Sequence, residues 1–161
     1  MSVLVSDRKP SRLEVLTYSI EIHNMLIELM QRGFGVKDVD HFVRLRYAYG
    51  KDDKEDFSKY RHLMYCFKMK INDLADSLTA NIRAANSINP MSMYEYHQRR
   101  SYQNAAIANC EQIKMELQKV VEVFNVDINL FCPHINAVNR EIGLIKKWRQ
   151  SDNKIKMRLT G

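Results

Sequence analysis

Five histidines and three cysteines are the side chains of this 161-residue sequence best suited to metal or nucleophilic chemistry. His23, His41, His62, His97 and His134 fall on separate segments, and no two neighbouring histidines have the spacing of a metal-ligand pair. Cys66, Cys110 and Cys132 are odd in number and far apart, which argues against a disulfide framework and against CxxC clips. They read as small core or boundary residues. No GxGxxG, Walker loop, GxSxG or HExxH occurs. Glu111, Glu116 and Glu122 lack the ExxH partners of a di-iron bundle. The expectation is a non-enzyme without catalytic residues, metal or cofactor. His23 stands in an apolar stripe and needs a hydrogen-bond partner if it is buried.

The basic residues are more informative. Lys and Arg number 25 against 19 Asp and Glu, a formal charge of +6 that favours polyanionic partners. Arg140, Lys146, Lys147, Arg149, Lys154, Lys156 and Arg158 oppose only Glu141 and Asp152, so the last 22 residues carry +5 of that charge. Cations at a helix C-terminus complement its dipole. That explains Lys146, Lys147 and Arg149 but not the tail at about 150–161. A second cluster, "YEYHQRRSYQNAA", sets Arg99 and Arg100 among Tyr94, Tyr96 and Tyr102, a mixture suited either to phosphate and base contacts or to surface packing. Trp148, the only tryptophan, has two readings: it continues an apolar stripe into the core or a subunit interface, or it offers a stacking platform.

The elements that must position these residues are helices. Only 5 glycines and 3 prolines interrupt the chain. Ser11 with Glu14 predicts the start of a first helix ending near Met30 or Arg32 before Gly33, with Leu13, Leu16, Ile20, His23, Ile27 and Met30 as its stripe and Val15, Ile22, Leu26 and Leu29 widening it. The segment at about 34–58 reads as an excursion, partly helical over Val39–Tyr47, with a charged loop after Gly50. A second helix spans about Ser58–Asn86 with Leu63, Phe67, Ile71, Leu74, Leu78, Ile82 and Ala85 inward. A third begins near Ser92, boxed by Glu95, and reaches Phe124 with Tyr102, Ala106, Cys110, Ile113, Leu117 and Val120 on its stripe. The fourth carries Phe131, Ile135, Val138, Ile142 and Ile145, with Pro133 in its first turn.

The expected fold is all-α, one domain over residues 1–161, an up-down-up-down four-helix bundle. In such a bundle the start of the third helix and the end of the fourth share one end, so the two basic clusters could merge. The N-terminus lacks a signal-peptide core and no run is long enough to span a bilayer, so the chain reads as cytoplasmic.

Taken together, "SRLEVLTYSIEIHNMLIELM", "ANSINPMSMYEYHQRRSYQNAAIANCEQI" and "LIKKWRQSDNKIKMRL" resemble the accessory variability determinant proteins of diversity-generating retroelements. The likeness covers most of the chain, with 34–59 matched least. Its clearest pieces are the "LEV" start, the "AN" turn followed by "RRSYQ", and the terminal "WRQSD". The resemblance implies a homopentameric barrel in a bacterial host cell that binds nucleic acid. It also implies association with the reverse transcriptase of the same element and with template-repeat RNA, possibly DNA too, in mutagenic retrohoming. It carries Arg99, Arg100, Lys146, Lys147 and Arg149 over as nucleic-acid contacts; Lys154, Lys156 and Arg158 join them on charge alone. Trp148 and Tyr102 are candidates for stacking or interface. The alternatives are a structural four-helix adaptor whose charge serves solubility, similar to the bundles inserted in some ribosomal RNA operons, and a bundle enzyme with a metal site.

Overall fold

The computed structural model describes residues 12–36 and 54–161. Long amphipathic segments with few breakers form five helices there: α1 (Arg12–Gln31), α2 (Lys54–Ser87), α3 (Met93–Phe124), α4 (Cys132–Ser151) and the short α5 (Asn153–Thr160). One-turn 3₁₀ segments at Gly33–Gly35 and Ile128–Leu130 follow α1 and α3. No strand occurs among the described residues, and no helix among them is long and apolar enough to cross a membrane. The Ser11 cap, the stretch 39–47 and the loop after Gly50 as far as residue 53 lie outside the described residues; α2 begins at Lys54, four residues before the expected start near Ser58, so the charged run from Lys54 to Ser58 is helix and not loop.

Cross-helix contacts fix the topology. Ser19 meets Thr79 and His23 meets Asn72, so α2 runs opposite to α1. Asn81 meets Asn109 while Phe67 meets Phe124, so α3 runs opposite to α2. Arg100 meets Arg149 and Lys114 meets Asn139, and α4 is reversed again. The ring closes where Arg140 lies over Tyr18 and His134 faces the Met25 backbone. The four long helices thus form an antiparallel bundle.

Local chemistry sets the boundaries. The Ser92 hydroxyl accepts the Glu95 N–H at 3.2 Å, and the Glu95 carboxylate accepts the Met91 N–H at 2.7 Å, so two free amides at the α3 start are satisfied. Asn125, left-handed at φ 48°, ends α3. After α1 three consecutive residues are left-handed: Gly33, Phe34 and Gly35 at φ 58°, 56° and 77°. Phe34 accepts that conformation because its ring is fully buried, which offsets a strain of about 1–3 kcal/mol. A Cβ on Gly35 would stand 2.8 Å from Leu130 Cδ1, so the two 3₁₀ turns are wedged together.

The core holds most of the expected residues, with three differences. On α1 the innermost row is Val15, Ser19, Ile22, Leu26 and Leu29, while Ile20 is exposed. Ser19 belongs to that row because its hydroxyl is satisfied by the Leu16 carbonyl at 2.7 Å and by Thr79. On α2, Leu63 is exposed and Met64 packs on the core in its place. On α3, Gln103 is buried while Tyr102 is 41% exposed, because the buried row runs Tyr96, Arg99, Gln103, Ala106, Cys110.

Candidate nucleic-acid interface

The site begins with how α4 ends. Asp152 closes α4 with its N–H on the Trp148 carbonyl at 3.1 Å, and its own carbonyl accepts the N–H groups of Ile155 and Lys156 at 2.9 and 3.2 Å. One residue therefore ends one helix and starts the next. An aspartate in this position ordinarily caps the new helix with its side chain. Here no side-chain cap bond forms, because the carboxylate is turned into the bundle toward α3.

Arg99 receives it. The guanidinium donates from Nε to Oδ2 at 2.7 Å and from Nη2 to Oδ1 at 2.8 Å, a bidentate pair. Gln103 adds a third bond to Oδ2 at 2.8 Å, and Arg99 Nη1 donates to the Ile88 carbonyl at 2.9 Å. The guanidinium also lies 5.2 Å from the centroid of the Trp148 ring. Arg99 is 1% and Asp152 4% exposed. A charge pair this deep is held by these four hydrogen bonds, and breaking one side leaves the other charged and buried. The cluster ties the α2–α3 turn, the first turns of α3 and the α4–α5 junction into one unit. Tyr96 reinforces it with a 3.4 Å hydrogen bond to Asn153.

The structure thus joins the two basic segments at one end of the bundle, through a buried anchor. Arg99, expected to contact nucleic acid, is in this chain a core residue: the 3,4-spaced row from Tyr96 to Cys110 carries it inward. Trp148 is 2% exposed, so of its two readings packing is the one present in this chain. Tyr102 stands on the surface, off that row. Arg100 is half-buried with Nη1 on the Arg149 carbonyl at 2.9 Å. Arg149 is half-buried, and its Nε has no partner. Lys146, Lys147, Lys154, Lys156 and Arg158 are all exposed, the last three on α5 where a tail was expected. Lys154 and Arg158, four residues apart, repel one another on the α5 surface.

Burial removes the opposing charges. Glu141 is fully buried on α4 with neither carboxyl oxygen hydrogen-bonded. Desolvation pushes its carboxyl up to about 8, against the weaker pull of Arg140, so it is mostly neutral at pH 7. Asp152 is neutralised by Arg99. These are the only acids between 140 and 161, so every charged side chain exposed in that stretch, from Arg140 to Arg158, is positive. The same packing silences Cys110, whose thiol is pushed far up by burial and further by Glu141 and Glu111.

Other groups are occupied by structure. His23 is satisfied by Asn72 at 2.9 Å and lies 3.5 Å from Asp76. Glu116 is buried against Lys70 and Lys119 at 3.1 and 2.9 Å. A groove of about 700 Å³ between α3 and α4 is lined mainly by Met115, Leu117, Val121, Ile128 and Ile135, and its ionic pair is Lys114 with Glu111 at 2.8 Å. Among the described residues no three His, Cys, Asp or Glu side chains converge as a metal site. Comparison with protein-family models, with curated proteins and with solved structures returns no match for this chain.

Proposed function

We propose that this chain is a non-catalytic, nucleic-acid-binding accessory protein. Following the resemblance above, it would serve a diversity-generating retroelement by joining the reverse transcriptase and template-repeat RNA for mutagenic cDNA synthesis. One observation carries the binding reading: the exposed charges of residues 140–161 have a single sign, because Glu141 and Asp152 are both withdrawn into the bundle. A stretch of this kind attracts phosphates by counterion release and adds no exposed acid of its own to repel them. Lys146, Lys147, Lys154, Lys156 and Arg158 make the phosphate contacts in this reading, with Arg100 and Arg149 at the edge. Arg99 acts behind them by fixing α5.

The polymerase and the pentamer rest on the resemblance alone. The test is co-expression of the tagged full chain with the reverse transcriptase and template-repeat RNA of the same element, followed by mass determination of the purified chain. Co-purification of both, with a mass of five chains, supports the whole reading. Recovery of neither, with a monomer or dimer indifferent to RNA, supports the structural adaptor. Burial of Arg99 and Trp148 is the observation that favours that second reading, since it removes two of the side chains first assigned to nucleic acid.

A further inference from the structure

A second group of chemistry-bearing side chains lies at the other end of the bundle, on the outer face of α2. Cys66 Sγ is 3.6 Å from His62 Nε2, and both residues are exposed. By itself this contact is a weak S–H···N hydrogen bond. Its length is also that of a chelate. For bonds of about 2.0 Å to nitrogen and 2.3 Å to sulfur, the two donors stand about 3.5 Å apart at a tetrahedral centre and about 3.7 Å at a trigonal one. The helix backbone fixes the four-residue spacing, so the pair is already arranged to hold one ion.

Met69 extends the set. It lies seven residues beyond His62 and three beyond Cys66, on the same helix face, and is 44% exposed. Its thioether is a soft donor. Lys70, the nearest following cation, is drawn away toward α3 by Glu116. Imidazole, thiolate and thioether without a carboxylate form a donor set that selects copper(I) over harder divalent ions.

We propose that His62, Cys66 and Met69 form a surface site for copper(I). On binding, the Cys66 S–H bond breaks, its proton leaves to solvent, and the thiolate, the imidazole nitrogen and the thioether sulfur coordinate the ion. No electron is transferred. Because a proton is released, affinity rises with pH.

The test is an anaerobic titration of the reduced full chain with copper(I) against a chromogenic copper(I) chelator, with helicity followed by circular dichroism. One ion per chain is expected, with a thiolate-to-copper charge-transfer band in the ultraviolet. Even outer-shell partners are worth about 10- to 100-fold in metal affinity, so Cys66→Ser should weaken binding by about 100-fold or more and Met69→Leu by about tenfold. Cys132→Ser, which removes the other exposed thiol, should change nothing. Copper binding that survives Cys66→Ser, indifference to Met69→Leu in a folded variant, or tighter retention of zinc(II) than of copper(I) would overturn the assignment.

Discussion

The Arg99 guanidinium closes on the Asp152 carboxylate with two hydrogen bonds of 2.7 and 2.8 Å across 53 residues of chain. This pair sets where α5 departs from the bundle, and so where Lys154, Lys156 and Arg158 are displayed. Breaking one side of a buried pair costs about 3–5 kcal/mol. Arg99→Ala and Asp152→Ala should each lower unfolding stability by that amount in urea titrations. Arg99→Lys should recover little, because an ammonium cannot reproduce the bidentate fork. A loss below about 1 kcal/mol in both alanine variants would show that the anchor is not formed.

Glu141 gives the fold a pH dependence with a defined sign. Its carboxyl titrates near the ordinary 4.5 when unfolded and at about 8 when buried. Between those values the folded chain keeps a proton that the unfolded chain releases, so stability falls as pH rises from about 4.5 to about 8. Glu141→Gln removes the linkage. The variant should gain over the parent by about 1.4 kcal/mol per pH unit in that window, roughly 3 kcal/mol at pH 7, with no difference below about pH 4. Parallel thermal melts across pH check the slope.

Gly35 permits the wedge between the two 3₁₀ turns. Gly35→Ala meets both a φ of 77° and the 2.8 Å approach to Leu130, and should cost about 1–3 kcal/mol. Adding Leu130→Ala relieves the collision but not the backbone strain, so the double variant should recover only part of the loss in a double-mutant cycle.

The sequence was most legible where a pattern is local. The Ser92 and Glu95 cap, and the Phe131, Val138, Ile142 and Ile145 row, depend on neighbours within a few residues, and both stand as expected. It was least legible where a polar side chain is buried by a distant partner. Arg99 among tyrosines reads as a surface arginine until Asp152 is brought to it, although the spacing Tyr96, Arg99, Gln103, Ala106 already pointed inward. Asp152 reads as one more tail charge for the same reason. Ser19 is polar in sequence yet enters the core, because its hydroxyl bonds its own helix. Apolarity points Tyr102 and Leu63 inward, yet Gln103 and Met64 hold the core side at those turns. His62 and Cys66 stand one helical turn apart, a mixed His–Cys spacing that neither the histidines nor the cysteines show among themselves.

Placement of charge, rather than its amount, decides whether the basic end binds nucleic acid. Two variants of equal net charge separate these: Lys154, Lys156 and Arg158 changed to glutamine on α5, and Arg32, Arg61 and Lys68 changed to glutamine at the opposite end of the bundle. The decisive measurement is the affinity of both, and of the parent, for a structured RNA across a salt series. Each lost phosphate contact lowers the log–log salt slope by about 0.7 to 0.9. The α5 variant should therefore lose about two units of slope and bind more weakly at every salt concentration, while the second variant stays close to the parent. Equal losses in the two variants, or an α5 variant that binds like the parent, would contradict a nucleic-acid interface at this end of the bundle.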